Sequence, residues 1–161
     1  MRIAGIDPGL NITGIGIVEV QSDRCIHIHH MVIRTKPAEP LADRLRSIRD
    51  GVAAAVREWA VTSGAIEASF VGNNVRSAMA LGQARAAAII GLVDGGATAQ
   101  EYAPNLVKQT VSGYGHGEKS QIAEMVRLQL GLVKTPTPAD AADALAVAIT
   151  HWAHARLAAR L

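Results

Sequence analysis

The hydrophobic positions near the start of the chain follow the pattern of β-strands. Isoleucine and valine recur over residues 2–7, 12–20 and about 24–34, and the segment DPGLN separates the first two runs. β-Branched residues favour strands, and Gly, Pro and Asn mark the connections between them. Three strands in succession predict an antiparallel meander.

From Pro40 the pattern changes to that of an amphipathic helix, which is predicted to run to about Trp59. Apolar residues recur three or four positions apart, with Arg and Asp between them. The residues that set this period are Leu41, Leu45, Ile48, Val52 and Val56.

Strands and helices alternate through the rest of the chain. Strands are predicted at about 63–67 and in ATAQEYA, and helices at 74–94, near 104–112, at 118–131 and at 138–160. The expected architecture is one α/β domain over residues 1–161, a five-stranded mixed sheet flanked by helices on both faces. The helix at 74–94 is Ala-rich and apolar on nearly all sides, which predicts either deep burial or contact with another subunit.

Composition narrows the class of protein. Hydrophobic residues make up 49% of the chain, yet no apolar run approaches about 18 residues, so no membrane contact is expected. No basic segment followed by a long apolar run comes after Met1, so no secretory leader is expected either. The single cysteine, Cys25, is predicted to be a small buried hydrophobe, and a chain without disulfides fits the reducing cytoplasm.

The GYGHGEKS segment, residues 113–120, invites comparison with a phosphate-binding loop. A Walker A loop has Gly directly before Lys-Ser and a strand leading into it, whereas here Glu118 intervenes and a helix is predicted upstream. The segment is therefore predicted to connect two helices. Glu118 then lies in the first turn of the second helix, where its charge suits the helix dipole.

Two predicted strands end in a carboxylate. Asp7 closes the run GID and Glu67 closes the run AIE. In a parallel pair, these two acids would be neighbours at one edge of the sheet.

Asp140 and Asp143 are three residues apart in a predicted helix, which places both on one face with about 5 to 6 Å between their Cβ atoms. One interpretation is structural: Thr137 caps the helix, Pro138 takes the first position, and Asp140 completes a capping box. The other is functional. Alanines flank both acids, so this helix can approach another backbone closely.

Four acids brought together need cations, because burial and like charge both oppose ionisation. Carboxylate oxygens with water in the remaining positions suit Mg²⁺ or Mn²⁺, and two such ions about 3.5 to 4 Å apart form a clamp for in-line phosphoryl displacement. The chain carries 16 basic and 14 acidic side chains, a net charge of +2. With four acids neutralised by metal, 16 basic side chains face 10 acidic ones, and the resulting +6 favours a polyanionic partner.

Several motifs together resemble one family. GIDPG with TG a few residues on, AIE followed by a Phe, LGQAR, EYAPNLVKQTVSGYGHGEKSQ and ADAADALAVAITH occur in the order and at the spacings of the RuvC family of Holliday junction resolvases. The resemblance covers nearly the whole chain. It implies a ribonuclease H-like fold and a metal-dependent endonuclease that nicks two opposing strands of a four-way DNA junction in recombination and repair.

The resemblance also implies roles and partners. Asp7, Glu67, Asp140 and Asp143 would be the catalytic metal ligands, with two ions per subunit, Mg²⁺ or Mn²⁺. One ion would activate the attacking water and the other would stabilise the leaving 3′ oxygen, which leaves 5′-phosphate and 3′-hydroxyl ends. A homodimer would present two sites to two equivalent strands, and the branch-migration complex RuvAB is the expected partner.

The proposed DNA contacts also come from the resemblance: Phe70, Arg76, Lys108 and Lys119, with Phe70 stacking on an unpaired base. Solvated lysines and a core phenylalanine are the structural alternatives. Arg85 either contacts a phosphate or solvates a helix. His151 lies eight positions after Asp143, and a structural role near the helix end is favoured over distant proton transfer.

Two other functions compete with this interpretation. GIDPGLNITG is also similar to the first phosphate loop of the actin and sugar-kinase ATPases, but those proteins need two such domains and 161 residues supply one. The second alternative is a catalytically inactive junction-binding protein of the same fold. Such a protein is expected to lack one or more of the four acids, all of which are present here.

Overall fold

The first three strands form the predicted antiparallel meander in the computed structural model, which describes residues 1–68, 74–113 and 119–158 and, of Lys119, the backbone alone. Strand β1 pairs with β2, and β2 pairs with β3, both antiparallel. Their bounds are Arg2–Asp7 for β1, Ile12–Gln21 for β2 and Arg24–Arg34 for β3. The β1–β2 register places Asp7 opposite Gly14.

Two further strands extend the sheet on the other side of β1. Strand β4 pairs parallel with β1, and β5 pairs parallel with β4, so the strand order is β3-β2-β1-β4-β5. Their bounds are Ser63–Glu67 and Thr98–Tyr102. The five-stranded mixed sheet is therefore confirmed.

Five helices cover the sheet: α1 Leu41–Glu58, α2 Val75–Gly95, α3 Pro104–Ser112, α4 Lys119–Gln129 and α5 Ala139–Ala158. Helices α1 and α2 share one apolar cluster with the side chains of Ile6 and Ile66. Helices α3, α4 and α5 share the other, with Ile3 and Ala65. Because successive strand residues point to opposite faces, the sheet supplies both cores, and helices on both faces are confirmed.

Helix α5 lies unusually close to β1 and β2. A Cβ added to Gly5 would collide with the backbone carbonyl of Ala144, and one added to Gly14 with that of Asp140. The alanines of α5 complete the contact from the other side, since Ala141, Ala144 and Ala148 are fully buried. Small residues on both elements thus fix the position of the helix that carries Asp140 and Asp143.

Helix α2 is not deeply buried along its length. Ala84, Ala88 and Leu92 pack in the core, whereas Met79 and Ile90 are 61% and 51% exposed. Of the two alternatives predicted for this apolar helix, deep burial is wrong. Among the helices of the described segments, none combines the length and the apolar character that crossing a bilayer requires.

Candidate active site

Asp7 and Glu67 lie side by side at one edge of the sheet. The parallel register of β1 and β4 pairs Ile6 with Ile66, and each acid is the next residue of its strand. The interiors of β1 and β4 are buried on both faces of the sheet by isoleucines and small residues. The acids come where these runs end, so rigid elements fix both carboxylates.

Helix α5 brings the second pair of acids to the same edge. Gly14 pairs with Asp7 across β1 and β2 and also lies against the backbone of Asp140. Asp140 is in the first turn of α5, where its charge also suits the helix dipole, so its position agrees with both interpretations made from the sequence. Asp143 follows one turn later on the same face.

All four carboxylates line one cavity of about 360 Å³, called here the carboxylate cavity. Pro8, Gly9 and Lys108 also line it, and all four acids are partly exposed. The remaining walls are apolar and come from β2, α2, α3, α4 and α5: Ile12, Leu81, Pro104, Val107, Ile122 and Ala146. Among the residues that the structure describes, the cavity therefore combines acidic oxygens and the ammonium group of Lys108 with apolar walls.

The side chains of the cavity suit hard divalent cations, since carboxylate oxygens are the ligands that Mg²⁺ and Mn²⁺ prefer. In the described part of the chain, however, no three His, Cys, Asp or Glu side chains converge closely enough to hold one ion. A bound cation would lower the repulsion between these like charges and allow the carboxylates to approach one another. The four acids fit a divalent metal in type and in placement, and their side chains must converge to bind it.

The segment between β1 and β2 forms one wall of the cavity. The hydroxyl of Thr13, a fully buried residue, donates to the Gly9 carbonyl at 2.8 Å. A Cβ at Gly9 would collide with the carbonyl of Ile12, so this tight turn requires glycine. In the sequence, this hydrogen bond is indicated only by the TG, Thr13 and Gly14, that follows GIDPG.

The predicted DNA-contact residues lie in different parts of the molecule. Lys108 lies in α3, half-buried, and lines the cavity. Arg76 is exposed in the first turn of α2 and does not line it. Arg85 forms an ion pair with Glu101 of β5. Phe70 and the side chain of Lys119 lie outside the described residues.

His151 belongs to a separate network. Its Nε2 lies 2.6 Å from Ser63 Oγ and its Nδ1 lies 2.9 Å from the Tyr102 hydroxyl. Burial, and then the charge of His154, lower the pKa of His151. It lies eight positions after Asp143 in α5, about 12 Å along the helix. These contacts tie α5 to β4 and β5, which agrees with the structural role favoured from the sequence.

Comparison with known proteins identifies the family. The family model described as crossover junction endodeoxyribonuclease RuvC matches residues 3–151. The RuvC protein of Burkholderia ambifaria is 50% identical over 151 residues, which cover 94% of this chain and 81% of that protein. The RuvC protein of Afipia carboxidovorans is 44% identical over 161 residues, 100% of this chain and 93% of that protein.

A solved structure agrees with these relatives. Thermus thermophilus RuvC, in its complex with a Holliday junction substrate, superimposes with a TM-score of 0.91 at 35% identity and covers 98% of this chain and 96% of that one. The expected ribonuclease H-like fold is thereby confirmed. The chain belongs to the RuvC family of crossover junction endodeoxyribonucleases.

Proposed function

We propose that this chain resolves four-way DNA junctions by metal-dependent nicking of two opposing strands, with Asp7, Glu67, Asp140 and Asp143 as the metal ligands. The observation that carries the proposal is that all four carboxylates line one cavity of a chain in the RuvC family. The complex of Thermus thermophilus RuvC with a junction substrate supports the choice of DNA.

The residues of the cavity suit phosphodiester hydrolysis. Two divalent ions, when bound, would activate water and stabilise the leaving 3′ oxygen, which gives 5′-phosphate and 3′-hydroxyl ends. The four carboxylates would hold Mg²⁺ or Mn²⁺, since hard oxygen ligands accept both. Lys108 would donate to a phosphate oxygen, and the apolar walls would restrict bulk water.

A homodimer is the assembly that fits this substrate. Helix α2 exposes the apolar side chains of Met79, Ile90 and Val93, and Ile90 also lines a groove of about 460 Å³ between α1 and α2. Contiguous exposed apolar residues favour a protein interface. A two-fold axis there would relate two carboxylate cavities, as two equivalent strands require.

The other expectations also remain proposals. Residues 1–161 act as one nuclease domain, and Phe70, Arg76, Lys108 and Lys119 contact DNA. RuvAB is the proposed branch-migration partner. The cytoplasm, where bacterial DNA recombines and is repaired, is the proposed location.

The test is cleavage of a labelled, mobile four-way junction beside a linear duplex of the same sequence. Each substrate is incubated with Mg²⁺, with Mn²⁺ and with EDTA. We expect paired symmetric nicks in the junction alone, abolished by EDTA. Junction binding without nicks under either metal would contradict the proposal and favour the inactive junction-binding protein.

A further inference from the structure

Arg44 of α1 is a buried arginine with three acceptors. The residue is only 7% exposed. Its Nε donates to the hydroxyl oxygen of Thr35 at 2.9 Å, and its Nη2 donates to the carbonyl oxygen of Leu10 at 3.1 Å and to Oδ1 of Asn11. Arg44 lies four residues before Ile48 and eight before Val52, so it occupies the apolar face of α1, where an arginine is unusual.

No carboxylate within the described segments forms an ion pair with this guanidinium. A buried charge without a counter-ion is costly, and an apolar side chain of similar volume is often neutral or stabilising in such a place. Stability of the fold alone therefore does not account for arginine at this position. Departures of this kind are expected at functional sites.

All the acceptors of Arg44 support one short segment. Leu10 and Asn11 belong to the connection from β1 to β2, and Pro8 and Gly9 of the same connection line the carboxylate cavity. Thr35 reinforces the contact, because its hydroxyl donates to the Leu10 carbonyl and its backbone N–H donates to the Asn11 carbonyl. Arg44 thus holds the side of this segment that faces away from the cavity.

We propose that Arg44 is a positioning residue of the nuclease. Its guanidinium fixes the segment 8–11, which begins next to Asp7, so that the cavity wall keeps its shape while ions and the phosphodiester enter. The inference rests on the proposed function. It assigns Arg44 no contact with substrate or metal.

The first test compares three variants in single-turnover cleavage at saturating junction. Arg44→Met keeps the length of the side chain without its charge or donors, and Arg44→Lys keeps the charge without the planar fork. Arg57→Met is the matched control: Arg57 is exposed on the same helix, donates to the Asp94 carbonyl at 2.7 Å and lies about 20 Å along the helix from Arg44.

A positioning role predicts a change in the cleavage step. Small displacements of a reacting group cost large factors in rate, so we expect Arg44→Met to cleave at least about tenfold more slowly. Its junction affinity in EDTA should stay within about threefold of wild type, because bound DNA meets the same charged surface. Arg44→Lys should recover part of the rate, and Arg57→Met should match wild type.

Amide hydrogen exchange supplies a readout independent of activity. In Arg44→Met the amides of residues 10–13 should exchange faster, while those of β4 keep the wild-type rate. If Arg44→Met does not fold, Thr35→Val, which removes one acceptor of Arg44, should show both effects in weaker form. Wild-type cleavage rates in the folded variants, or faster exchange throughout the chain, would overturn the positioning role. Absence of cleavage by wild type would instead refute the proposed function.

Discussion

Gly14 of β2 lies directly against Asp140 of α5: a Cβ on this glycine would overlap the backbone carbonyl oxygen of the aspartate. Since Gly14 also pairs with Asp7 across the sheet, one glycine links two of the four carboxylates. The contact involves backbone, which cannot swing aside as a side chain can. The position of Asp140 therefore depends on the absence of a side chain at residue 14.

Gly14→Ala should displace the start of α5. Overpacking of this kind costs about 1 to 3 kcal/mol of unfolding free energy, and cleavage should fall because Asp140 moves. Urea unfolding and junction cleavage measure the two effects. Gly82→Ala is the control: no atom lies within 4 Å of its added Cβ, so α2 should gain about 0.5 to 1 kcal/mol. Wild-type stability and activity in Gly14→Ala would contradict the close packing.

Lys108→Gln should weaken junction binding and flatten its salt dependence. One lost phosphate contact lowers the magnitude of the slope of log K against log salt by about 0.9. Binding titrations in EDTA at several salt concentrations measure this slope. Lys134→Gln, at an exposed lysine outside the cavity lining, should change it less. Equal slopes for wild type and Lys108→Gln would mean that Lys108 does not contact DNA.

Stability should decrease on mild acidification. Burial lowers the pKa values of His27, His30 and His151, and the Nε2 of His27 lies 2.8 Å from the Nδ1 of His30. The unfolded chain therefore binds more protons, so stability is fully present above about pH 6.5 and is lost as pH falls through the folded-state pKa values. Urea unfolding between pH 5 and pH 8 measures whether the unfolding free energy rises with pH, as expected.

His151→Gln is the informative variant for this pH dependence, because it removes one of the three histidines from the titration. Its unfolding free energy should vary less between pH 5 and pH 8 than that of wild type. Hydrogen bonds to Gln21 and Arg127 lower the pKa values of Glu19 and Glu124, respectively. Protonation of these carboxylates also lowers stability, but only at more acidic pH than for the histidines. Greater stability at pH 5 than at pH 7 would refute this assignment.

Ile90→Glu should dissociate the proposed dimer. The side chain is 51% exposed beside the groove between α1 and α2, and a buried unpaired charge in an interface is strongly unfavourable. Sedimentation velocity at micromolar concentration should find a monomer. Val133→Glu, at a side chain 92% exposed elsewhere, should leave the dimer intact. A monomeric wild type, or a dimeric Ile90→Glu, would place the interface elsewhere or remove it.

The elements of the fold could be predicted because their sequence patterns are strong. The strand at 63–67 has the predicted bounds, and α1 and α2 begin and end within one residue of them. The pairing of Asp7 with Glu67 followed from two strands that end in acids. Helix α4 ends at Gln129, two residues before its predicted end, while its predicted start at 118 and the predicted end of α5 at 160 lie outside the described residues.

Other features depend on tertiary packing that no periodicity reveals. The apolar pattern of α2 is compatible with burial in the core and with a subunit contact, because it does not show whether the same chain or another covers each face of the helix. The period of α1 places Arg44 on the same face as the buried Ile48 and Val52. It does not show that the segment 8–11 supplies acceptors for the buried guanidinium. Cys25, predicted to be a small buried hydrophobe, is half-buried against the core, and desolvation raises the pKa of its thiol to about 12.

In the proposed mechanism, the four carboxylates of one cavity together hold the metal ions required for junction cleavage. The most direct measurement is the junction-nicking rate of Asp7→Asn, Glu67→Gln, Asp140→Asn and Asp143→Asn, with junction binding in EDTA measured for each. Asp23→Asn, at an exposed acid in the turn between β2 and β3, is the control.

Mutating a residue that hydrogen-bonds to a metal ligand typically lowers metal affinity or activity about 10- to 100-fold. Loss of a ligand itself should therefore slow nicking by at least about 100-fold. Each of the four variants should therefore nick at least that much more slowly while binding the junction as tightly as wild type. Asp23→Asn should nick at the wild-type rate. Two or more of the four variants nicking within about tenfold of wild type would contradict the shared metal site.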